Sequence, residues 1–480
     1  MAGMRFLGGL LALAVILGGC TSAGEGTAPG EGAGCPSRGD SPGAAGLGDP
    51  LFPTLGNDGY DVSHYSLDLT VDPAQNRLSA VVAIEAQATQ DLTAFNLDFA
   101  GPPIREVTVD DQQAPFCREE GELTIVPVDP LSIDARFTIS VSYAGSPRPV
   151  LRSGDPRPEG WIHISEEQVS AGGLWGAETS FFPANATAQD KATFLIRVTV
   201  PKPLGVAATG KLVETVEDDG STTYVWESDV PTATSRISFT TGRFMSERQE
   251  GPQGLLIENL FPPGTPEELR GDLEMAVPII ETLGGFLGPF PFDTLGFTWV
   301  SGSPEETAIS PQMRIYILNL PGLGDRELAH EIGHQWFGNS VTPATSQDNW
   351  LSEGLATYVE SLWIERSLGR KRRDLLPGAW LARLGDRTRP LTEVTGPEEL
   401  ADFVTYLRGA ATLHALRLDV GDGSFFRILR RYTTAFRHSS ARTEDFVAVA
   451  QEVSGRDLSG FFDAWLYQES VPEIPGLGSS

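Results

Sequence analysis

Apolar and polar residues alternate with a period of two through much of the first half of the chain. The run Tyr65–Val71 shows this most clearly, because every second residue in it is apolar. Similar runs follow at 79–86, 105–109, 123–126, 137–143, 194–200, 224–228 and 237–241. Turn residues such as Asp110-Asp111 and Asp218-Asp219-Gly220 separate them. Many short strands with turns between them predict an antiparallel β-sandwich or saddle-like sheet domain.

The pattern changes to a helical period after Gly251. A helix is predicted over 266–287, where Thr265-Pro266-Glu267-Glu268 forms a good N-terminal signal. Short apolar runs at 295–300 and 315–320 predict strands. Further helices are predicted at 325–339, 352–368, 397–419, 423–437, 442–454 and 457–468. The chain is therefore expected to be a multidomain α+β protein, with a β domain over 58–245, a mainly helical domain over 246–470 and a frayed tail over 471–480.

The N-terminus has the pattern of an export signal. Arg5 precedes an apolar run that is too short to span a membrane as a mature helix, and the segment Leu17-Gly-Gly-Cys20 then resembles a bacterial lipobox. This resemblance implies an exported cell-envelope lipoprotein that carries its lipid anchor on Cys20, with residues 1–20 as the signal peptide. An ordinary secretory signal is the alternative. Residues 21–57 are rich in Gly, Ser, Ala and Pro, which predicts a flexible tether.

Charge and cysteine content narrow the class of protein. The 480 residues include 35 Lys and Arg against 64 Asp and Glu, a formal net charge of −29. Such a chain lacks the basic surface that nucleic acid or an anionic membrane surface requires. Three cysteines are too few for a disulfide scaffold, although Cys35 and Cys117 could pair in an oxidising compartment.

The strongest chemical signal is His330-Glu331-Ile-Gly-His334 within a predicted helix. Residues i and i+4 share one helix face, so both imidazoles can reach a single ion. Glu331 lies beside them, where it could deprotonate an attacking water. Glu353 starts a second predicted helix after eighteen intervening residues and offers a third ligand. Two imidazoles and one carboxylate leave a fourth position for water, which is typical of a catalytic zinc site.

The flanking residues add a family resemblance. The stretches His334-Gln-Trp-Phe-Gly-Asn339 and Trp350-Leu-Ser-Glu-Gly354 resemble those of the aminopeptidase-N-like gluzincin metallopeptidases. The resemblance implies a thermolysin-like catalytic domain and one Zn²⁺ per chain, held by His330, His334 and Glu353. The stretch Tyr406-Leu-Arg-Gly-Ala-Ala-Thr-Leu413 is similar to the family's Tyr-x-Lys-Gly pattern, with Arg in place of Lys. Tyr406 is accordingly expected to stabilise the oxyanion.

Two departures from the family pattern affect the expected specificity. The Gly-x-Met-Glu-Asn motif, whose Glu binds the substrate amine, is replaced by Gly302-Ser-Pro-Glu305-Glu306-Thr307. Glu306 is favoured for amine binding and Glu305 is the alternative. Glu178 could add a second amine contact, and Asp348 could orient a zinc-bound histidine. The sequence also ends without the long C-terminal helical domain of many family members, which predicts a more open cleft.

These observations predict a zinc aminopeptidase that removes N-terminal residues from peptides. Its catalytic residues would be Glu331 and Tyr406, and its partners would be peptides with a free N-terminus. A zinc endopeptidase of unusual specificity is one alternative, and a non-catalytic binding protein on the same fold is another. The oligomeric state does not follow from the sequence.

Overall fold

The computed structural model describes residues 35, 37–39, 41–152, 155–300, 307–318, 323–385 and 387–474. Two units follow one another along the chain, a β domain and a mainly helical domain, as the hydrophobic pattern predicts. Within these ranges, no helix is both long enough and apolar enough to cross a lipid bilayer. The predicted signal peptide and the proposed lipid-bearing Cys20 lie outside the described residues.

The first domain consists of three sheets. Its eight-stranded sheet has the strand order 211–217, 221–232, 192–201, 60–72, 77–88, 136–145, 104–109 and 112–113. A five-stranded sheet contains, in spatial order, 205–208, 239–242, 168–172, 155–165 and 149–152, and a three-stranded sheet contains 95–98, 122–125 and 116–119. In the eight-stranded sheet, Tyr60–Asp72 pairs in parallel with Ala192–Pro201. A parallel pair needs a long connection, which the intervening strands provide.

Alternating side chains along these strands form a common apolar core. Tyr65 stacks on Phe194 at a ring-centroid distance of 4.8 Å, and Phe182 meets the edge of Tyr65. The chain changes sheets between Gly242 and Met245, because Met245–Glu250 already pairs with Leu256–Phe261 of the second unit. The sequence boundary at 245 therefore falls at the change of sheet.

From residue 41 onward, the segment that precedes the first strand is packed against the rest of the protein. This differs from the flexible tether expected over 21–57. Cys35 forms a disulfide with Cys117 of the three-stranded sheet. Asn57 is buried and donates a hydrogen bond to Asp98. Asp49 accepts hydrogen bonds from the backbone N–H and the hydroxyl of Ser346 in the second unit, both at 2.7 Å. The Gly- and Pro-rich composition of the segment did not predict these contacts, because each of them involves a partner that is distant in sequence.

The second unit combines a mixed five-stranded sheet with helices. Its strands lie in the order 245–250, 256–261, 294–300, 314–318 and 307–309, and a two-stranded sheet pairs 341–343 with 439–441. The α-helices are Glu267–Gly271, Ala276–Leu287, Asp325–Gly333, Trp350–Leu368, Arg370–Arg373, Leu376–Leu384, Gly409–Val420, Asp422–Ala435, Thr443–Ser454 and Ser459–Phe462. We call Asp325–Gly333 the histidine helix and Trp350–Leu368 the Glu353 helix.

Four predicted helices differ in the structure: those over 266–287 and 457–468 are divided into shorter helical pieces, and two others carry site residues. The histidine helix ends at Gly333 instead of continuing to 339, and His334 occupies its C-cap. The predicted helix over 397–419 is divided into a 3₁₀ turn at Pro397–Ala401, a π turn at Val404–Arg408 and an α-helix at Gly409–Val420. Helical periodicity does not distinguish these local geometries, since the 3₁₀ and π turns each differ from the α-helix by less than one residue per turn.

The Glu353 helix and the helix that follows the π turn touch backbone to backbone. A Cβ atom added at Gly354 would lie 2.8 Å from Cα of Gly409, and one added at Gly409 would lie 2.7 Å from Cα of Gly354. Both distances are too short for a real contact, so only glycine permits this approach. The contact fixes the spacing between Glu353 and the π turn that contains Tyr406.

We expect Gly354→Ala to destabilise the protein by about 1–3 kcal/mol, because the added methyl group must push two helix backbones apart. Gly284→Ala is the matched control, since Gly284 is also within a helix and a Cβ atom there meets nothing within 4 Å. That control should be neutral or stabilising by up to about 1 kcal/mol. Chemical denaturation of both variants checks this, and equal stability of the two would contradict the close-contact interpretation.

Candidate metal centre and active site

The structure brings three predicted ligands together. Nε2 of His330 lies 3.1 Å from Nε2 of His334, and Oε2 of Glu353 lies 3.6 Å and 3.4 Å from these two atoms respectively. A tetrahedral ion with bonds of 2.0–2.1 Å requires its ligand atoms to be about 3.4 Å apart. All three side chains are buried. The arrangement therefore fits a zinc ion with one position left open.

Each imidazole is oriented by a hydrogen bond at its other nitrogen. Nδ1 of His330 lies 3.0 Å from Oε1 of Glu360, whose Oε2 is 2.8 Å from Nε of Arg326. Nδ1 of His334 lies 3.1 Å from the carbonyl oxygen of Phe337. Because both acceptors require a proton on Nδ1, each Nε2 keeps its lone pair for a metal. Sequence reasoning missed Glu360, although it stands two helical turns after Glu353 and thus on the same face.

The carboxylates make the site strongly attractive to a cation. Burial alone would lower the pKa of His330, but its hydrogen bonds to Glu353 and Glu360 outweigh burial and raise this pKa to about 10. Burial alone would likewise raise the pKa of Glu353, yet the two histidines hold it well below its usual range. The same negative charge that stabilises a proton on the histidines would stabilise a bound dication.

Glu331 lies beside the ligands and faces the same cavity. The hydroxyl of Ser310 donates a hydrogen bond to Oε2 of Glu331. Asn339 in turn donates to the carbonyl oxygen of Ser310 at 2.9 Å. This chain of hydrogen bonds fixes one oxygen of Glu331 and directs the carboxylate into the cavity, as a general base requires.

Tyr406 reaches the same cavity from the π turn. Its ring stacks on His330 at a centroid distance of 5.7 Å and an interplanar angle of 7°. Burial first, and then the charges of Glu353 and Glu331, raise the pKa of Tyr406 well above its usual value. The hydroxyl is therefore protonated at neutral pH and can donate a hydrogen bond.

Arg408, which replaces the Lys of the family pattern, has a structural position. It is fully buried, and its guanidinium donates to the carbonyl oxygens of Trp465, Gln468 and Glu469. These bonds attach the π turn to the chain segment that follows the last helix. Arg408 therefore holds Tyr406 in place from behind and does not line the cavity.

The other predicted site residues either lie away from the cavity or fall outside the described residues. Glu305 and Glu306 lie outside the described residues, and the strand Thr307–Ile309 begins directly after them. Glu178 is fully buried, accepts a hydrogen bond from Thr234 at 2.8 Å and is not among the residues that line the cavity. The carboxylate of Asp348 accepts from Thr345 and Thr443, so the idea that it orients a histidine was wrong. Asp348 instead caps the turn before the Glu353 helix.

The cavity that contains these groups lies between the two units and has a volume of about 210 Å³. One wall holds His330, Glu331, His334, Glu353 and Tyr406. The opposite wall comes from the β domain and includes Arg236, Trp175, Ile162 and Ile164. The cavity is therefore complete only when both units are docked.

Comparison with known proteins places this site in a known class. Residues 326–465 match the Peptidase family M1 domain. The structure resembles that of the M1 zinc metallopeptidase from Deinococcus radiodurans with a TM-score of 0.82 and 29% identity, covering 90% of this chain and 99% of that one. It resembles yeast LTA4 hydrolase in fold, with a TM-score of 0.71 and 21% identity over 87% of this chain and 69% of that one.

Curated relatives match over shorter stretches. Human glutamyl aminopeptidase is 24% identical over 330 residues, which is 61% of this chain and 33% of that protein. Aminopeptidase M1-A from Oryza sativa subsp. japonica is 30% identical over 161 residues, which is 31% of this chain and 18% of that protein. The chain thus spans a third or less of the length of these two relatives.

The fold and the set of two histidines and one glutamate are those of a gluzincin metal site. These comparisons support a place in the M1 gluzincin family, and zinc is the metal that the ligands indicate.

We expect Glu360→Gln to weaken zinc binding by about 10- to 100-fold. The Glu360 carboxylate orients His330 and increases the basicity of its imidazole through its negative charge, and a neutral amide lacks that charge. Glu365→Gln on the same helix is the matched control, since Glu365 bonds to Arg373 and Arg417 and not to a ligand. Competition with a chromogenic chelator measures the zinc affinity of both variants. Equal affinity in the two variants would show that the Glu360 bond does not support the metal.

Proposed function

We propose that this protein is a zinc-dependent aminopeptidase that hydrolyses the first peptide bond of peptides with a free N-terminus. The observation that carries the proposal is the convergence of the three ligands, Glu331 and Tyr406 on one cavity of about 210 Å³. The cavity is only partly open to solvent, which favours the end of a peptide over the middle of a long chain. The D. radiodurans relative was solved with a Tyr-Ser-Ala substrate, which supports a short peptide as the ligand here.

The chemistry is divided among named side chains. Zinc, when bound, would supply a Lewis acid that polarises the scissile carbonyl and lowers the pKa of water to about 7. Glu331, held by Ser310, accepts the proton of the attacking water and then delivers it to the leaving amine. The protonated hydroxyl of Tyr406 donates a hydrogen bond to the oxyanion that forms at the carbonyl. Glu306, with Glu305 as the alternative, would pair with the substrate ammonium and so select the chain end.

The test of the proposal uses aminoacyl-coumarin substrates in free and N-acetylated form. We expect hydrolysis of the free-amine series alone, and its loss on addition of a zinc chelator. The physical reason is that acetylation removes the positive charge that a glutamate would bind. Cleavage of the acetylated series would instead support an endopeptidase, and turnover that resists complete zinc removal would contradict the metal chemistry.

Glu331→Gln serves as the matched control in the same assay. This variant should keep its zinc, because Glu331 is not a ligand, and should lose about 10²- to 10⁴-fold in kcat through loss of the general base. Zinc content is measured by atomic emission on the same sample. Near-normal turnover in the zinc-loaded variant would remove Glu331 from the mechanism.

We also propose that the protein is exported and anchored to the cell envelope through a lipid on Cys20. The lipobox-like Leu17-Gly-Gly-Cys20 supports this, and so does the Cys35–Cys117 disulfide, because disulfides persist in oxidising compartments. Expression in a bacterial host fed radiolabelled palmitate should label the full chain and leave Cys20→Ser unlabelled. Absence of label in the unmodified chain would favour an ordinary secretory signal.

A further inference from the structure

Arg236 places a buried positive charge in the wall of the active-site cavity. The residue ends the 3₁₀ turn Thr234–Arg236 of the β domain and is only 8% exposed. Its side chain lines the main cavity together with the zinc ligands and also a second, smaller cavity of about 30 Å³. Arg236 therefore lies between the two cavities.

This guanidinium lacks the hydrogen bonds that buried arginines normally make. Its Nε has no acceptor, and within the described ranges no carbonyl or carboxylate oxygen accepts from the rest of the group. The other buried arginines among the described residues do make hydrogen bonds, although Nε of Arg314 also has no acceptor. Arg314 donates to the carbonyl oxygen of Glu258, Arg408 donates to several carbonyl oxygens, and Arg417 bonds to Glu365 and Asp422. A buried charge without acceptors is costly, so an external acceptor is the simplest partner for it.

The two buried carboxylates near Arg236 do not supply that partner. Glu178 and Glu353 attract its charge only through space. Glu178 accepts instead from Thr234, and Glu353 faces the two histidines as a metal ligand. Burial, and then the charge of Arg236, lower the pKa of the nearby Lys191 well below its usual value, and its Nζ donates to the carbonyl oxygens of Asn339 and Ser340. No carboxylate of the described residues therefore lies in hydrogen-bond contact with Arg236, and its guanidinium is left for an external acceptor.

The guanidinium lies near His334, one of the metal ligands. A Cβ atom placed on Gly338 would be 3.5 Å from Nη2 of Arg236 and 3.4 Å from Nδ1 of His334. Gly338 has a φ of 112°, so a side chain there would be strained as well as crowded. Because Arg236 lines the same cavity as the metal ligands, an anion on Arg236 would belong to a residue close to the scissile bond.

We propose that Arg236 binds a carboxylate of the substrate next to the scissile bond, and that it thereby directs the enzyme toward acidic or very short peptides. The planar guanidinium can hold both oxygens of a carboxylate at once, which a lysine in the same place could not do. The carboxylate has two chemical sources, the side chain of an acidic residue that flanks the scissile bond or the free C-terminus of a dipeptide. This inference rests on the proposed peptidase activity.

Three pairs of isosteric peptides distinguish the sources. Glu-Ala-amide against Gln-Ala-amide tests an acidic first residue, Leu-Glu-amide against Leu-Gln-amide tests an acidic second residue, and Leu-Ala against Leu-Ala-amide tests the free C-terminus. In the zinc-loaded unmodified protein, the acidic member of at least one pair should have a kcat/KM higher by about 10- to 100-fold. Arg236→Gln should bring that ratio close to one, and Arg236→Lys should retain only part of it.

Arg157→Gln is the control for a general loss of charge, because Arg157 is exposed and lines the same cavity. It should change the kcat/KM ratio of the peptide pair that shows the acidic preference far less than Arg236→Gln does. The proposal is overturned if the unmodified protein shows no acidic preference in any pair, if the preference persists in Arg236→Gln, or if that variant lowers all six rates equally. Failure of the peptidase proposal looks different, since the unmodified protein would then cleave none of the six peptides.

Discussion

The concentration of negative charge around two buried imidazoles is the constraint on which the rest of this structure depends. Glu331, Glu353 and Glu360 all approach the histidine pair, and like charges repel strongly where water is excluded. The cluster is tolerable only with compensating positive charge. Zinc supplies it at the centre, and Arg326 supplies it at the outer oxygen of Glu360. The helices that hold these groups are packed closely enough that the charges cannot separate.

The β domain helps to position the elements that carry the metal ligands, through hydrogen bonds to the catalytic unit. Lys191 bonds to the carbonyl oxygens of Asn339 and Ser340, directly after the turns that follow the histidine helix. Asp49 holds Ser346 in the turn that leads to the Glu353 helix. Both elements that carry metal ligands are therefore attached to residues more than 140 positions away in the chain. Docking of the two units and geometry of the metal centre are coupled by these bonds.

Local spacing was enough to predict the parts of the site that lie on single elements. His330 and His334 are one helical turn apart, and Glu353 opens the next long helix, so the histidine pair and a helical position for Glu353 follow from periodicity. Arg236 could not be found in this way, because it comes close to His334 only through the docking of two domains. Asp49 lay in a segment whose composition predicted a tether. Asp348 was misassigned because its partner, Thr443, is brought near by tertiary packing.

The π turn at Val404–Arg408 has a consequence for how relatives of this protein are compared. Such a turn is commonly an α-helix that holds one additional residue. Each residue of an α-helix rotates the side-chain direction by about 100°. Loss of a single residue from this stretch could leave a well-formed helix while directing the tyrosine hydroxyl away from the metal. A relative could thus keep the zinc motif and the fold and yet be a pseudoenzyme, and an alignment would record the difference only as a one-residue gap.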